Sequence, residues 1–111
     1  MRLNLEDNKY IRRLLEISQQ FNIDKLRHTD LKEEYTSFEG SPKRHPSNEN
    51  ILLLVTNPFD ANMQFYEFNL ETVSAVEEIG TITSEDSKSS YQVRIWVKKG
   101  TLAVKSETFI V

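Results

Sequence analysis

The 111-residue chain contains no cysteine. That excludes a disulfide framework, a thiolate metal site and a cysteine nucleophile. Glycine and proline are scarce, three of each, and no Walker, G-x-G-x-x-G or G-x-S-x-G pattern occurs among so few glycines. The two histidines, His28 and His45, do not stand at metal-ligand spacing. No apolar run approaches the roughly 20 residues needed to span a bilayer. The N-terminal MRLNLEDNKY also lacks the uninterrupted apolar stretch of a secretory signal. These absences predict a cytoplasmic protein with no membrane contact and no cofactor. A surplus of basic charge is missing as well. Residues 1–50 carry nine Lys/Arg and nine Asp/Glu, residues 51–111 five and eight, for a net charge of -3. Binding through phosphates needs a cation for each phosphate neutralised, so this balance points away from nucleic acid.

What is present is a chain long enough for one domain, 1–111, with a single core. It divides by hydrophobic period into a helical part (1–38), a connecting loop (39–50) and an antiparallel β part (51–111). In DNKYIRRLLEISQQF the apolar residues Tyr10, Ile11, Leu14, Leu15 and Phe21 form one stripe, with Arg12, Arg13, Glu16 and Gln19 on the other face. An amphipathic helix starting near residue 5 follows. A weaker pattern from Asp24 or Asp30 through Leu26, Leu31 and Tyr35 predicts a second short helix or two broken pieces. The stretch GSPKRHPSNEN, residues 40–50, has two prolines, three consecutive basic residues (Lys43, Arg44, His45) and no apolar side chain. It reads as a linker unless Arg44 and His45 come to lie beside Trp96 or the Lys98-Lys99 turn.

Beyond residue 50 the period becomes two. Ile51 to Val55 reads as a buried strand and Met63 to Phe68 as a second, with Tyr66 and Phe68 on one face and Phe65 on the other. Val73 to Ile79 is a third, and Gly80 permits a bulge before Thr81 to Thr83. SEDSKSS is an exposed tip. In YQVRIWVKKG, Tyr91, Val93, Ile95 and Val97 alternate with Gln92, Arg94, Trp96 and Lys98, Lys99-Gly100 makes a tight turn, and Thr101 to Val111 returns as the last strand. The expected fold is therefore α+β, with one or two N-terminal helices followed by an antiparallel meander of about five strands, a curled sheet or small barrel.

The order F-x-G-S-P-x-x-H-P (38–46), an apolar strand ending in NPF (57–59), FYEFNLETVSAVEE (65–78), VRIWVKKG (93–100) and a closing FIV resembles a family of small bacterial proteins of about this length. Most of its members are uncharacterised and some carry an inorganic pyrophosphatase label. The resemblance implies a metal-dependent phosphoryl hydrolase. That chemistry needs several carboxylates converging on hard metal ions, typically in a D-x-D-P-x-D segment. No such segment occurs here; the nearest acids are Glu67 and Glu71, Glu77-Glu78 and Glu85-Asp86, and neighbours on a strand point to opposite faces.

The residues themselves favour a non-enzymatic protein-interaction or oligomerisation domain over an enzyme. Trp96 stands between Arg94 and Lys98 on the polar face of its strand. With Lys105 these could form an aromatic and basic patch for a protein partner or a second copy, because Trp and Arg dominate interface hot spots. The alternative for Trp96 is a second core under the N-terminal helix. A third reading is an anion or nucleic-acid binder built from Lys43, Arg44 and His45 with Lys98 and Lys99.

Overall fold

The computed structural model describes residues 9, 10, 12–16 and 34–111. Among them the architecture is β-rich, with seven antiparallel strands, one short helix and a single 3₁₀ turn. This corrects the α+β expectation. The strands are β1 (Tyr35–Arg44), β2 (Ile51–Val55), β3 (Phe65–Asn69), β4 (Val73–Thr83), β5 (Ser89–Lys98), β6 (Leu102–Lys105) and β7 (Glu107–Ile110). Their order in the sheet is β4-β5-β1-β2-β3-β6-β7.

The decisive departure is β1. It occupies the expected end of the helical part and the first half of the expected loop, and it lies at the centre of the sheet. Its first six residues pair with β5, from Tyr35 opposite Lys98 to Gly40 opposite Val93. Its last four pair with β2, from Ser41 opposite Val55 to Arg44 opposite Leu52. One strand thus changes partner in mid-course and joins two halves, β4-β5-β1 and β1-β2-β3-β6-β7. Strands that pass between two packed sheets make corners in this way.

The residues that looked like linker chemistry make that corner. A Cβ on Gly40 would stand 2.6 Å from the Val55 carbonyl oxygen and 3.0 Å from Leu54 Cγ, so only glycine lets β2 approach this closely. Pro42 removes an N–H. The ladder to β5 has already ended at Gly40, which leaves β1 a side where that loss is tolerated. Where β1 parts from β5, side chains replace the ladder. Gln92 Nε2 donates to Ser41 Oγ at 2.6 Å, and Ser41 and Ser90 share a hydroxyl bond of 2.5 Å. Both serines are buried.

The sheet is also curled. β3 and β4 lie four strand spacings apart in the sheet order, which is about 19 Å if flat. Yet four residue steps join Asn69 to Val73, with a reach of about 14 Å. The same holds between Lys98 of β5 and Leu102 of β6. The two halves therefore face each other across the core, as Phe38 of β1 shows by meeting Tyr66 and Phe68 of β3 at ring-centroid distances of 5.2 and 4.9 Å. Phe109 of β7 joins them, 5.9 Å from Tyr66. The alternation expected for β5 is present, with Val93, Ile95 and Val97 fully buried, and Tyr66 and Phe68 do turn inward while Phe65 faces out.

Residues 9, 10 and 12–16 are helical, and Tyr10 and Leu14 enter the same core while Arg12, Arg13 and Glu16 are exposed. Ile11, Phe21, His28 and the weaker helix pattern after Asp24 fall outside the described residues, except Tyr35, which is strand. The expected last strand is two. It doubles back at Ser106, which takes a φ of 64°, so that Leu102 pairs with Ile110 and Ala103 with Phe109. The register of β4 slips at Val73/Ala75 and again at Glu78/Gly80, the second at the expected glycine.

Candidate functional site

Trp96 lies on the outer face of the β4-β5-β1 half, opposite Ser37 and Ala75. It is half-buried. Its Nε1 donates to Glu77 Oε1 at 2.7 Å, and Glu77 is itself buried, with 8% of its surface exposed. Register places Glu39, Arg94 and Glu77 in one row across three strands. Arg94 is bonded to Glu39 through Nε and Nη2, and its Nη1 lies 3.9 Å from Glu77 Oε1. The one cation of this row is held between two carboxylates and the indole N–H is satisfied, so these polar groups are engaged with one another. Glu78, on the other side of the strand, is exposed.

The remaining basic residues do not gather around Trp96. Lys98 and Lys99 are exposed at the β5-β6 turn, with the Lys99 N–H donating to the Glu34 carbonyl. Lys105 is on the other half of the sheet, its Nζ 4.7 Å above the Tyr66 ring. Lys43 and Arg44 stand at the far end of β1 from Lys98, about 30 Å along a ten-residue strand. Arg44 and His45 thus reach neither Trp96 nor the Lys98-Lys99 turn, yet they do not belong to a bare linker. Lys43 Nζ points to Met63 Sδ at 3.7 Å. His45 closes the turn after β1, where its Nδ1 accepts the N–H groups of Ser47 and Asn48 at 3.1 Å. That fixes the proton of the neutral ring on Nε2, which faces Glu67 Oε1 at 3.8 Å.

Among the described residues no three His, Asp or Glu side chains form a group that could hold a metal ion. The acids are instead held apart. Glu77 serves Trp96 and Arg94, Glu67 faces His45, and Asp86 accepts from Ser84 in the 84–88 turn, a bond that lowers its carboxyl below the usual range.

A second surface is open. On the outer face of the β2-β3-β6-β7 half, Ile51, Asn69, Leu102 and Ile110 fall in one row, with Leu53, Glu67, Val104 and Thr108 beside it. Leu102 is 61% exposed and Ile110 70%. A groove of about 370 Å³ runs between this row and Asn48 and Asn50. Phe65 and Met63 extend the apolar area along the same half.

The chain matches no family model, no curated protein and no solved structure. The site must therefore be judged on its own geometry. Neither the Leu102-Ile110 pair nor the environment of Arg44 is visible from residue types alone. The first needs the hairpin at Ser106, and the second needs β1 to be recognised as a strand. Once it is, parity puts Arg44 on the core-facing side with Phe38, Gly40 and Pro42.

Proposed function

We propose that this chain is a small non-enzymatic interaction domain that pairs with a second copy of itself through the outer face of β6-β7 and its neighbours β2 and β3. The observation that carries the reading is the exposed cross-strand pair Leu102-Ile110 at the end of a sheet whose other face already packs the core. An antiparallel sheet normally buries one apolar face and shows water a polar one. Here the second face is also apolar, and a contiguous exposed patch of that kind marks an interaction surface. A second copy suits it because the charges beside the row offset one another. Lys43 and Glu67 lie in one cross-strand row and carry opposite charges, so two identical faces can meet without a net like-charge penalty.

This moves the surface away from Trp96, where Glu77 and Glu39 already occupy the side chains that a partner would have to engage. The hydrolase implied by the resemblance finds less support, since its carboxylates would have to leave the contacts that separate them.

Sedimentation velocity tests the proposal. The unaltered protein should show a concentration-dependent dimer at about 100 µM, in keeping with a modest interface of roughly 800 Å² per partner. Ile110→Lys should sediment as a monomer with unchanged circular dichroism. A monomer at every concentration, or a dimer that Ile110→Lys and Leu102→Lys leave intact, would overturn it.

A further inference from the structure

The turn after β1 hangs from one imidazole. Backbone pairing runs on past β1, where the His45 N–H donates to the Ile51 carbonyl at 3.4 Å, and residue parity puts the half-buried ring on the outer face with Lys43 and Glu67. Its Nδ1 accepts the N–H groups of Ser47 and Asn48, both at 3.1 Å. Asn48 Oδ1 accepts the Asn50 N–H at 2.9 Å, and the Asn50 carbonyl accepts the Leu70 N–H at 2.8 Å. A continuous chain of hydrogen bonds thus runs from the ring to the 3₁₀ turn that follows β3. Asn48 and Asn50, its middle links, form one wall of the groove that Leu102 and Val104 border.

This chain needs the lone pair on Nδ1, so it exists only while the ring is neutral, with its proton on Nε2 toward Glu67. A second proton makes both nitrogens donors. The Ser47 and Asn48 N–H groups then face another N–H and lose their acceptor. The charged ring has partners of its own, because Ser47 Oγ stands 3.3 Å from Nδ1 and can accept from it, while Glu67 Oε1 remains 3.8 Å from Nε2. Ser47 and Asn48 are exposed, so their freed N–H groups turn to water. Each state of the turn is therefore satisfied, and one proton separates them. Among the described residues, Glu67 is the carboxylate that faces the ring. Arg44, on the core-facing side of β1, lies 4.0 Å from Glu49 in the turn, Lys43 points to Met63, Arg13 reaches the turn at Asn50 Oδ1, and β2 contributes no charge.

We infer that His45 is a proton-operated latch on this turn. Neutral, it holds residues 45–50 against the end of β3 and keeps the groove wall in place; protonated, it releases them. Histidine is the side chain that changes charge between about pH 5 and 8, so the latch opens as pH falls through that range.

The test is a pH titration of isotope-labelled Ile110→Lys, a background in which dimerisation does not enter the reading. The amide signals of Ser47, Asn48, Asn50 and Leu70 should move together with the His45 ring signals between about pH 8 and about pH 5.5. Protection of the Leu70 amide against hydrogen exchange should fall by roughly fivefold over the same range. In the same background His45→Asn, whose Oδ1 can accept the same N–H groups without titrating, should keep the turn closed throughout, and His45→Ala should leave it open throughout. His28 remains in both variants, so a response that survives in His45→Asn belongs elsewhere and overturns the inference. Ser47 and Asn48 amides that stay fixed while the His45 ring titrates overturn it as well. A final arm rests on the self-association proposed above, whereas the Ile110→Lys arm does not. With Ile110 restored, the dimer should weaken by about fivefold at the lower pH, and His45→Asn should abolish that change. A dimer equally tight at both pH values while the turn amides move would overturn the latch's hold on the groove.

Discussion

Gly40→Ala probes the corner on which the sheet turns. The added methyl would stand 2.6 Å from the Val55 carbonyl oxygen and 3.0 Å from Leu54 Cγ. An ordinary contact is nearer 3.4 Å, so β1 and β2 would have to part by several tenths of an ångström. The nearer atom belongs to backbone paired in the sheet and cannot swing aside as a side-chain tip would. Overpacking of this kind costs about 1–3 kcal/mol. Alanine returns about 0.5–1 kcal/mol by restricting the unfolded chain. A net loss of about 1 kcal/mol follows, which for a domain of this size lowers the melting temperature by roughly 4 °C. Thermal unfolding followed by Trp96 fluorescence and far-ultraviolet circular dichroism measures it. Gly100→Ala is the comparison, because nothing lies within 4 Å of its added Cβ and its cost arises from a φ of 93° alone. A Gly40→Ala protein as stable as its parent, within about 0.5 kcal/mol, would refute the close crossing of β1 over β2.

Three further outcomes follow from the same contacts. Ser41→Val removes the hydroxyl that serves both Gln92 and Ser90, and stranding the buried Ser90 should cost about 1–3 kcal/mol in urea unfolding. Glu77→Ala leaves the Trp96 N–H and Arg94 without their shared acceptor. It should destabilise by about 2–3 kcal/mol and shift the emission of the single tryptophan, whereas Glu77→Gln, which keeps an acceptor, should cost less. Burial raises the hydroxyls of Tyr10 and Tyr91 from the ordinary 10.0 to about 12, with Glu78 adding to the effect at Tyr91. The folded state then holds protons that the unfolded chain releases. Stability should be full below about pH 10 and fall as pH rises toward 12, with late phenolate absorbance from these two tyrosines.

Strands with strict alternation are legible in the amino-acid order, and β5 is the clearest. Its apolar residues alternate because one face meets the core, and Lys99-Gly100 supplies the positive φ of the turn. The helix stripe is legible for the same reason at Tyr10 and Leu14. β1 is not, because its place in the sheet rests on backbone pairing to two different partners. Phe38 is its one aromatic packed against the core, while Gly40 and Pro42, the usual marks of a loop, are what the corner requires. The turn at Ser106 is hidden too, since Lys105-Ser106-Glu107 contains no glycine, asparagine or proline to announce it. The strand order departs from a simple meander because β1 is inserted between β5 and β2.

The central functional claim is that the outer face of β2-β3-β6-β7 meets a second copy. Backbone amide shifts recorded while the protein is diluted from about 1 mM to about 20 µM test it residue by residue. Concentration-dependent shifts should cluster at Ile51, Asn69, Leu102, Val104 and Ile110 and spare β4 and Trp96. Spectra that do not change with dilution, or changes centred on Trp96 and Arg94, would contradict it.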